Sequence, residues 1–98
     1  ACSSGTIVID GGAKEALLNE GKSLLSSGII EVKGEFNKGD VVDIEDLEGQ
    51  IIARGQARYS AGELNQIQGL SSFEATKLLG KEVNTVVHRN DLVLFRRD

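Results

Sequence analysis

GKSLLSSGIIEVKGEFNKGDVVDI, residues 21–44, is the stretch in which a helical pattern stops and two alternating patterns begin. Gly21 stands where the preceding helix must close. Beyond the turn at Gly28, Ile30, Val32, Gly34 and Phe36 alternate with Glu31, Lys33 and Glu35, the period of a strand with one face in the core and one in water. Asn37-Lys38-Gly39-Asp40 then turns the chain, and Val42 and Ile44 repeat the alternation against Val41, Asp43 and Glu45. The two runs are expected to be neighbouring antiparallel strands.

On the N-terminal side, Thr6-Ile7-Val8-Ile9-Asp10 is a short β-branched run that predicts a strand, with Asp10-Gly11-Gly12 as its exit into a helix. Ala13, Ala16, Leu17 and Glu20 share one face of that helix, Leu18 flanks it, and Gly21 supplies the left-handed residue after the last turn. On the C-terminal side, the Glu48-Gly49 turn leads into a long run from Ile51 to Tyr59. There Ile51, Ala53, Gly55, Ala57 and Tyr59 form a small apolar face that lets another backbone approach closely. Ser60 to Glu63 and Ser71 to Glu74 each fit the Ser-x-x-Glu capping box. They open two short helices that end at Gly69 and Gly80, the first carrying Leu64 and Ile67 inward and the second Phe73, Leu78 and Leu79. Thr85 to Arg89, a turn at Asn90-Asp91, and Leu92 to Phe95 then read as a closing hairpin. The expected fold class is α+β, mainly β: a small, partly closed barrel of about six short strands, with one helix after the first strand and two short helices before the final hairpin.

With 98 residues, of which 40% are hydrophobic and 27% charged, the chain suits one soluble globular domain too small to fold around a large catalytic cleft. No apolar run approaches the roughly 20 residues of a membrane span, and no signal-peptide pattern opens the chain, so a cytoplasmic location and no membrane partner are expected. The lone Cys2 has no internal disulfide partner. The absence of methionine leads to the expectation of a piece cut from a longer protein, with residues 1–5 as linker or tag remnant and 96–98 as a C-terminal tail. Proline is also absent, so the turns fall to Gly, Asn, Asp and Ser.

Each catalytic signal weakens on inspection. Gly21-Lys22-Ser23 looks like the end of a phosphate-binding loop, but the first glycine of that pattern falls on Ala16, inside a helix, where the loop should follow a strand. His88-Arg89-Asn90-Asp91-Leu92 resembles a kinase catalytic loop in letters only, its aspartate one place late. His88 is the only histidine and has no spacing that supports a triad or a zinc site. Asp40, Asp43, Glu45, Asp46 and Glu48 lack the order of a calcium loop, and alternation puts Asp43 and Glu45 on a solvated face. No catalytic and no metal-binding residue is assigned.

Charge argues against a nucleic-acid stripe. The net charge is -4, residues 31–60 hold seven acids against four bases, and residues 61–98 balance at five each. Arg89, Arg96 and Arg97 near the closing hairpin, and Arg54 with Arg58 on one strand face, could still form a local basic patch.

The succession Gly12-Ala13-Lys14-Glu15-Ala16-Leu17, then Gly21-x-Ser23-Leu24-Leu25-x-x-Gly28-Ile29, then Gly34-x-Phe36-x-x-Gly39-Asp40-Val41-Val42 resembles the PUA domains, whose fold is an RNA-binding pseudo-barrel. Ala53-Arg54-Gly55 with Tyr59-Ser60 and Glu63-Leu64, and the ending Val87-His88-Arg89-Asn90-Asp91-Leu92-Val93-Leu94, are similar to the PUA domain that closes bacterial glutamate 5-kinases. The likeness runs from Thr6 to Phe95 and departs at Ser26, where that family usually has proline.

The resemblance implies that residues 6–95 are a PUA domain of a parent enzyme. That enzyme phosphorylates the γ-carboxylate of glutamate to γ-glutamyl phosphate with ATP and Mg²⁺, the first step of proline synthesis, and is inhibited by proline. The kinase domain is not in these residues, so no catalytic, ATP or glutamate residue carries over. The domain itself is expected to be non-catalytic, to need no cofactor, and to serve regulation or assembly beside its own kinase domain in a homo-oligomer. The alternative is an RNA-binding module, for which the family analogy points to Gly12, Ala13, Lys14, Leu25, Gly28, Ile29, Val93, Leu94 and Phe95. Small residues there would let a phosphate backbone come close, but a single lysine offers few phosphate contacts, so close packing of helix and strand is the favoured explanation of them. A free-standing domain with an unrelated small ligand is the third expectation.

Overall fold

The structure, a computed structural model, is described over residues 3–95; the expectations placed on Ala1, Cys2 and residues 96–98, Arg96 and Arg97 among them, lie outside these. The β-branched Thr6-Ile7-Val8-Ile9 forms β1 (Gly5–Ile9), in which Ile7, Val8 and Ile9 are all buried. A strand buried on both faces belongs inside a sheet. The five strands accordingly run in the order β2 (Ile29–Gly34), β1, β3 (Val41–Glu45), β4 (Ile51–Gln56), β5 (Leu92–Leu94). β1 is antiparallel to β2 and parallel to β3, and the remaining neighbours are antiparallel.

The two runs read as adjacent strands are therefore separated by β1. Gly34 and Val42 both pair with Gly5, so the chain crosses over the start of β1 instead of closing a hairpin. Gly34 turns the chain out of β2 with φ +81°, and Phe36 drops its ring beside Gly5, where an added Cβ would lie 2.6 Å from it. The Asn37–Asp40 turn does form, Asp40 N–H donating to the Asn37 carbonyl at 3.0 Å.

Two register shifts displace the expected faces. The partners of Val8 and Ile9 are Glu31 and Ile29, so Ile30 is the extra residue, 48% exposed, while Ile29 takes the core place expected of Ile30. In β4 the partners of Ile44 and Glu45 are Ala53 and Ile51; Ile52 is extra, so Ile52 and Ala53 are both buried and Ile51 is not. The strand ends at Gln56 rather than Tyr59. Gly55 permits the close approach expected of this small face, since a Cβ there would meet Val87 at 2.7 Å and the Asp91 carbonyl at 2.8 Å. Asp43, expected in solvent, is buried: its carboxylate accepts from Arg54 Nε and the Ser3 hydroxyl, both at 2.7 Å.

α1 (Gly11–Asn19) starts on the Asp10 cap and closes at Gly21, φ +63°. α2 (Ala61–Ile67) and α3 (Ser72–Leu79) both carry complete capping boxes, from Ser60 with Glu63 and from Ser71 with Glu74. α2 buries Leu64 and Ile67 as expected, but α3 faces the core through Ala75. Leu79 is partly buried, Leu78 is exposed, and the exposed Phe73 ring has the Lys77 ammonium 4.7 Å from its centroid. Thr85–Arg89 is not a strand: Val86 and Val87 exchange hydrogen bonds with Leu24 in an isolated bridge, and Val86 also accepts from Arg58 N–H. Arg89–Asp91 is a 3-10 turn, and β5 pairs with β4 instead of closing a terminal hairpin. The core lies between the inner face of the sheet, α1, α2 and the Val83–Val87 segment. Among the described residues no helix is long and apolar enough to cross a membrane.

Candidate functional site

The junction of β1 and α1 is tied to the 3-10 turn Ser26–Gly28 before β2. Asp10 N–H donates to the Gly28 carbonyl at 3.0 Å while the Asp10 carboxylate accepts from Ala13 N–H at 2.7 Å. This cap satisfies an otherwise unpaired amide of the first helical turn. Gly28 lies against Ala13 so closely that a Cβ on it would come within 2.5 Å of the Ala13 Cβ. Ser26, wholly buried, donates its hydroxyl to the Leu70 carbonyl at 2.7 Å, and its own carbonyl accepts from Gly69 N–H at 2.9 Å. Two helical layers thus hold the turn from opposite sides. The result is an open groove of about 470 Å³ between α1 and the chain from Lys22 to Gly28.

Of the residues singled out by family analogy, Gly12, Ala13, Leu25 and Gly28 line this groove. Ile29 follows them but is buried in the core, out of reach of a ligand. Lys14 points elsewhere: its ammonium is 2.9 Å from the Asp46 carboxylate and 3.9 Å from Glu48, on the β3–β4 turn. Asp46 also accepts from the backbone N–H of Gln50 and Glu48, at 2.9 and 3.0 Å. The hydrogen bond that Lys14 donates to the Asp46 carboxylate holds the Lys14 amine above its ordinary range, and the same bond, with the Gln50 amide, holds the Asp46 carboxyl below its own. Lys14 is a clamp between helix and hairpin. Val93, Leu94 and Phe95 form and follow the edge strand β5; none lines the groove, Leu94 is partly buried, and the Arg54 guanidinium sits 5.6 Å from the centre of the Phe95 ring.

The groove also takes in Lys22 and Ser23, which the sequence offered only as an imperfect phosphate-loop string. Their geometry is that of helix termination: Lys22 N–H donates to the Ala16 carbonyl at 3.0 Å, Lys22 Nζ pairs with Glu20 at 3.0 Å, and the Ser23 hydroxyl accepts from Arg89 N–H at 2.8 Å. The wall is thus mostly small or apolar, its two charged side chains already engaged: Lys22 with Glu20 and Asp10 with the Ala13 amide in the helix cap. His88 Nδ1 accepts from Asn90 N–H at 3.1 Å within its own turn. Among the described residues no three His, Cys, Asp or Glu side chains are grouped to hold a metal ion.

The chain is 51% identical to the glutamate 5-kinase of Dictyoglomus turgidum over 94 residues, 95% of this chain and 25% of the relative. It is 46% identical to that of Aquifex aeolicus, covering 93% of this chain and again 25% of the relative. The chain therefore spans about a quarter of the length of these relatives. Among solved structures, a PUA domain protein of Aeropyrum pernix superposes with a TM-score of 0.65 at 23% identity, over 87% of this chain and 41% of that one, a likeness of fold alone. A chain of an archaeal box H/ACA small ribonucleoprotein complex superposes with a TM-score of 0.59 at 26% identity, over 85% of this chain and 24% of that one. The PUA domain model matches residues 5–79, from the first residue of β1 to the last of α3, and the chain belongs to the PUA domain family.

Proposed function

We propose that this domain is the non-catalytic PUA module of a glutamate 5-kinase, serving regulation by proline and assembly of the parent enzyme. The observation that carries the reading is the 51% identity to a glutamate 5-kinase that extends over 95% of this chain but only 25% of that relative. Glutamate, ATP and Mg²⁺ would be handled by a kinase domain outside these residues, and the parent would act in the cytoplasm. The surface chemistry supports a module that faces protein. Of the eleven Lys and Arg side chains, nine fall among the described residues, and six of those nine, Lys14, Lys22, Lys33, Arg54, Arg58 and Lys81, already face a carboxylate within 4 Å. RNA affinity rests on neutralising phosphates with such side chains, and few remain to do so.

The test compares the full-length kinase with a form lacking this domain, reading glutamate-dependent ATP turnover, its inhibition by proline, and oligomeric state. The expected result is turnover within a few-fold of the intact enzyme with altered inhibition or altered assembly. Complete loss of turnover in a folded, correctly assembled kinase domain would overturn the reading, as would an unaltered inhibition curve and oligomeric state. RNA binding is the second reading, supported by the small-residue groove at Gly12, Ala13 and Gly28 and by the likeness to the box H/ACA chain.

A further inference from the structure

We propose that a second groove, where the Asn37–Asp40 turn meets the end of β4 and the Lys81–Thr85 segment, binds a small phosphate-bearing anion. The hollow measures about 470 Å³, as large as the groove on α1, and shares no residue with it. Three cations, Lys38, Arg58 and Lys81, line it beside two carboxylates, Glu82 and Asp91, so cations outnumber anions in its wall on a chain whose net charge is -4.

The backbone that carries these side chains is fixed. Gly39 N–H donates to the Ala57 carbonyl at 2.8 Å and Ala57 N–H to the Asp40 carbonyl at 2.9 Å, which docks the Lys38 turn on the residues beside Arg58. Arg58 N–H donates to Val86 at 2.9 Å, and Asn84 N–H donates to the Tyr59 hydroxyl at 3.2 Å, which joins the opposite wall.

The three cations are not equally committed. Lys81 is held by Glu63 and lies 5.7 Å from the centre of the Tyr59 ring. Arg58 faces the Asp91 carboxylate at 3.6 Å, longer than a hydrogen bond, so the pair is loose and its guanidinium makes no side-chain hydrogen bond among the described residues. Lys38 makes no ion pair among the described residues. An ammonium and a planar guanidinium at one hollow match the oxygens of a phosphate group. Two available cations suit a small anion, whereas a nucleic-acid strand that loses affinity steeply with salt typically engages about six to ten phosphates. Asp91 and Glu82, which also line the hollow, oppose the anion and tune its affinity downward.

The test is a two-dimensional ¹H–¹⁵N NMR titration of the 98-residue chain with inorganic pyrophosphate, at ionic strength held constant with chloride. Saturable shifts are expected at the amides of Gly39, Arg58 and Asn84 and not at Gly12 or Gly28. Lys38→Gln and Arg58→Gln should each weaken binding by about tenfold, the loss of one charge-assisted contact, and Asp91→Asn should strengthen it. Lys38 and Arg58 are exposed, so a preserved spectrum shows that these variants are folded. Absence of a saturable shift up to about 10 mM pyrophosphate, a level at which even a weak anion site fills, would overturn the proposal. So would equal shifts with chloride alone, undiminished binding in the Lys38→Gln/Arg58→Gln double variant, or binding of an oligonucleotide without binding of pyrophosphate.

Discussion

Gly28→Ala tests the seam on which the α1 groove is built. The new methyl would sit 2.5 Å from the Ala13 Cβ, with the Ala13 Cα at 3.7 Å and the Asp10 carboxylate at 3.8 Å. Carbon atoms pack at about 3.5–4.0 Å, so α1 must withdraw by about 1 Å at Ala13 or the turn must shift by as much. Neither moves freely, because Asp10 N–H bonds the Gly28 carbonyl and the Asp10 carboxylate caps the helix at Ala13. Overpacking of this kind costs about 1–3 kcal/mol. Gly28 does not have a positive φ, so alanine also removes unfolded-state freedom worth about 0.4–1 kcal/mol in the opposite direction. The net expectation is a loss of about 1–2 kcal/mol, which lowers the melting temperature of a domain this size by about 4–16 °C. Ala13→Gly in the same chain removes the obstructing methyl. By itself it should cost about 1 kcal/mol of helix propensity, yet the double variant should be more stable than that sum, with a coupling above about 0.5 kcal/mol. Urea unfolding followed by circular dichroism gives both numbers. A Gly28→Ala variant as stable as the parent, or additive effects in the pair, would refute the close approach.

Acid should weaken the fold through three carboxylates. At Asp43 burial raises the pKa, but the Ser3 hydroxyl and the Arg54 guanidinium outweigh it, while Lys14 lowers Asp46 and Lys81 lowers Glu63, from ordinary values of 3.8, 3.8 and 4.5. A depressed folded pKa means the unfolded chain takes up the proton first, so this stability is complete above those ordinary values and is lost as pH falls from them through the lower folded values. Lys14 has the opposite sign: its contribution is present below 10.5 and lost as pH rises through the raised value. Urea midpoints measured from about pH 3 to 11 should show a plateau with a falling limb at each end, the acid limb shallower in Asp46→Asn; a flat profile below pH 5 would contradict the assignment. Ser60→Ala removes one capping box and should cost about 1 kcal/mol in the same assay, and a loss below about 0.3 kcal/mol would contradict the cap's role.

Features set by near neighbours in sequence were legible. Both capping boxes and the helix stop at Gly21 follow from residues whose requirements are met within a turn, and the small side of β4 marked the close approach at Gly55 although the atoms it meets, at Val87 and Asp91, are distant in sequence. Strand order was not legible, because the insertion of β1 between β2 and β3 depends on Gly5 pairing with both Gly34 and Val42. Face assignment failed at the two doubled isoleucines, Ile29-Ile30 and Ile51-Ile52, where each register shift falls. Alternation cannot say which of two adjacent isoleucines is the extra one. Of the candidate site, the small residues of α1 and the turn before β2 came together as their positions suggested. Lys14 did not join them, because its partner Asp46 lies 32 residues away and nothing local marks the pair. Lys22 and Ser23 carried a signal, the Gly-Lys-Ser string, that was correctly read as a helix end yet still borders the groove.

Whether this PUA domain serves its own enzyme or an RNA is decided most directly by a fluorescence-anisotropy titration of the chain against mixed structured RNA at about 50 and 200 mM salt, a range over which phosphate-dominated binding changes by orders of magnitude. With most described cations already paired to carboxylates, no saturable binding is expected even at the lower salt. Saturable binding at 50 mM that collapses at 200 mM would contradict the account.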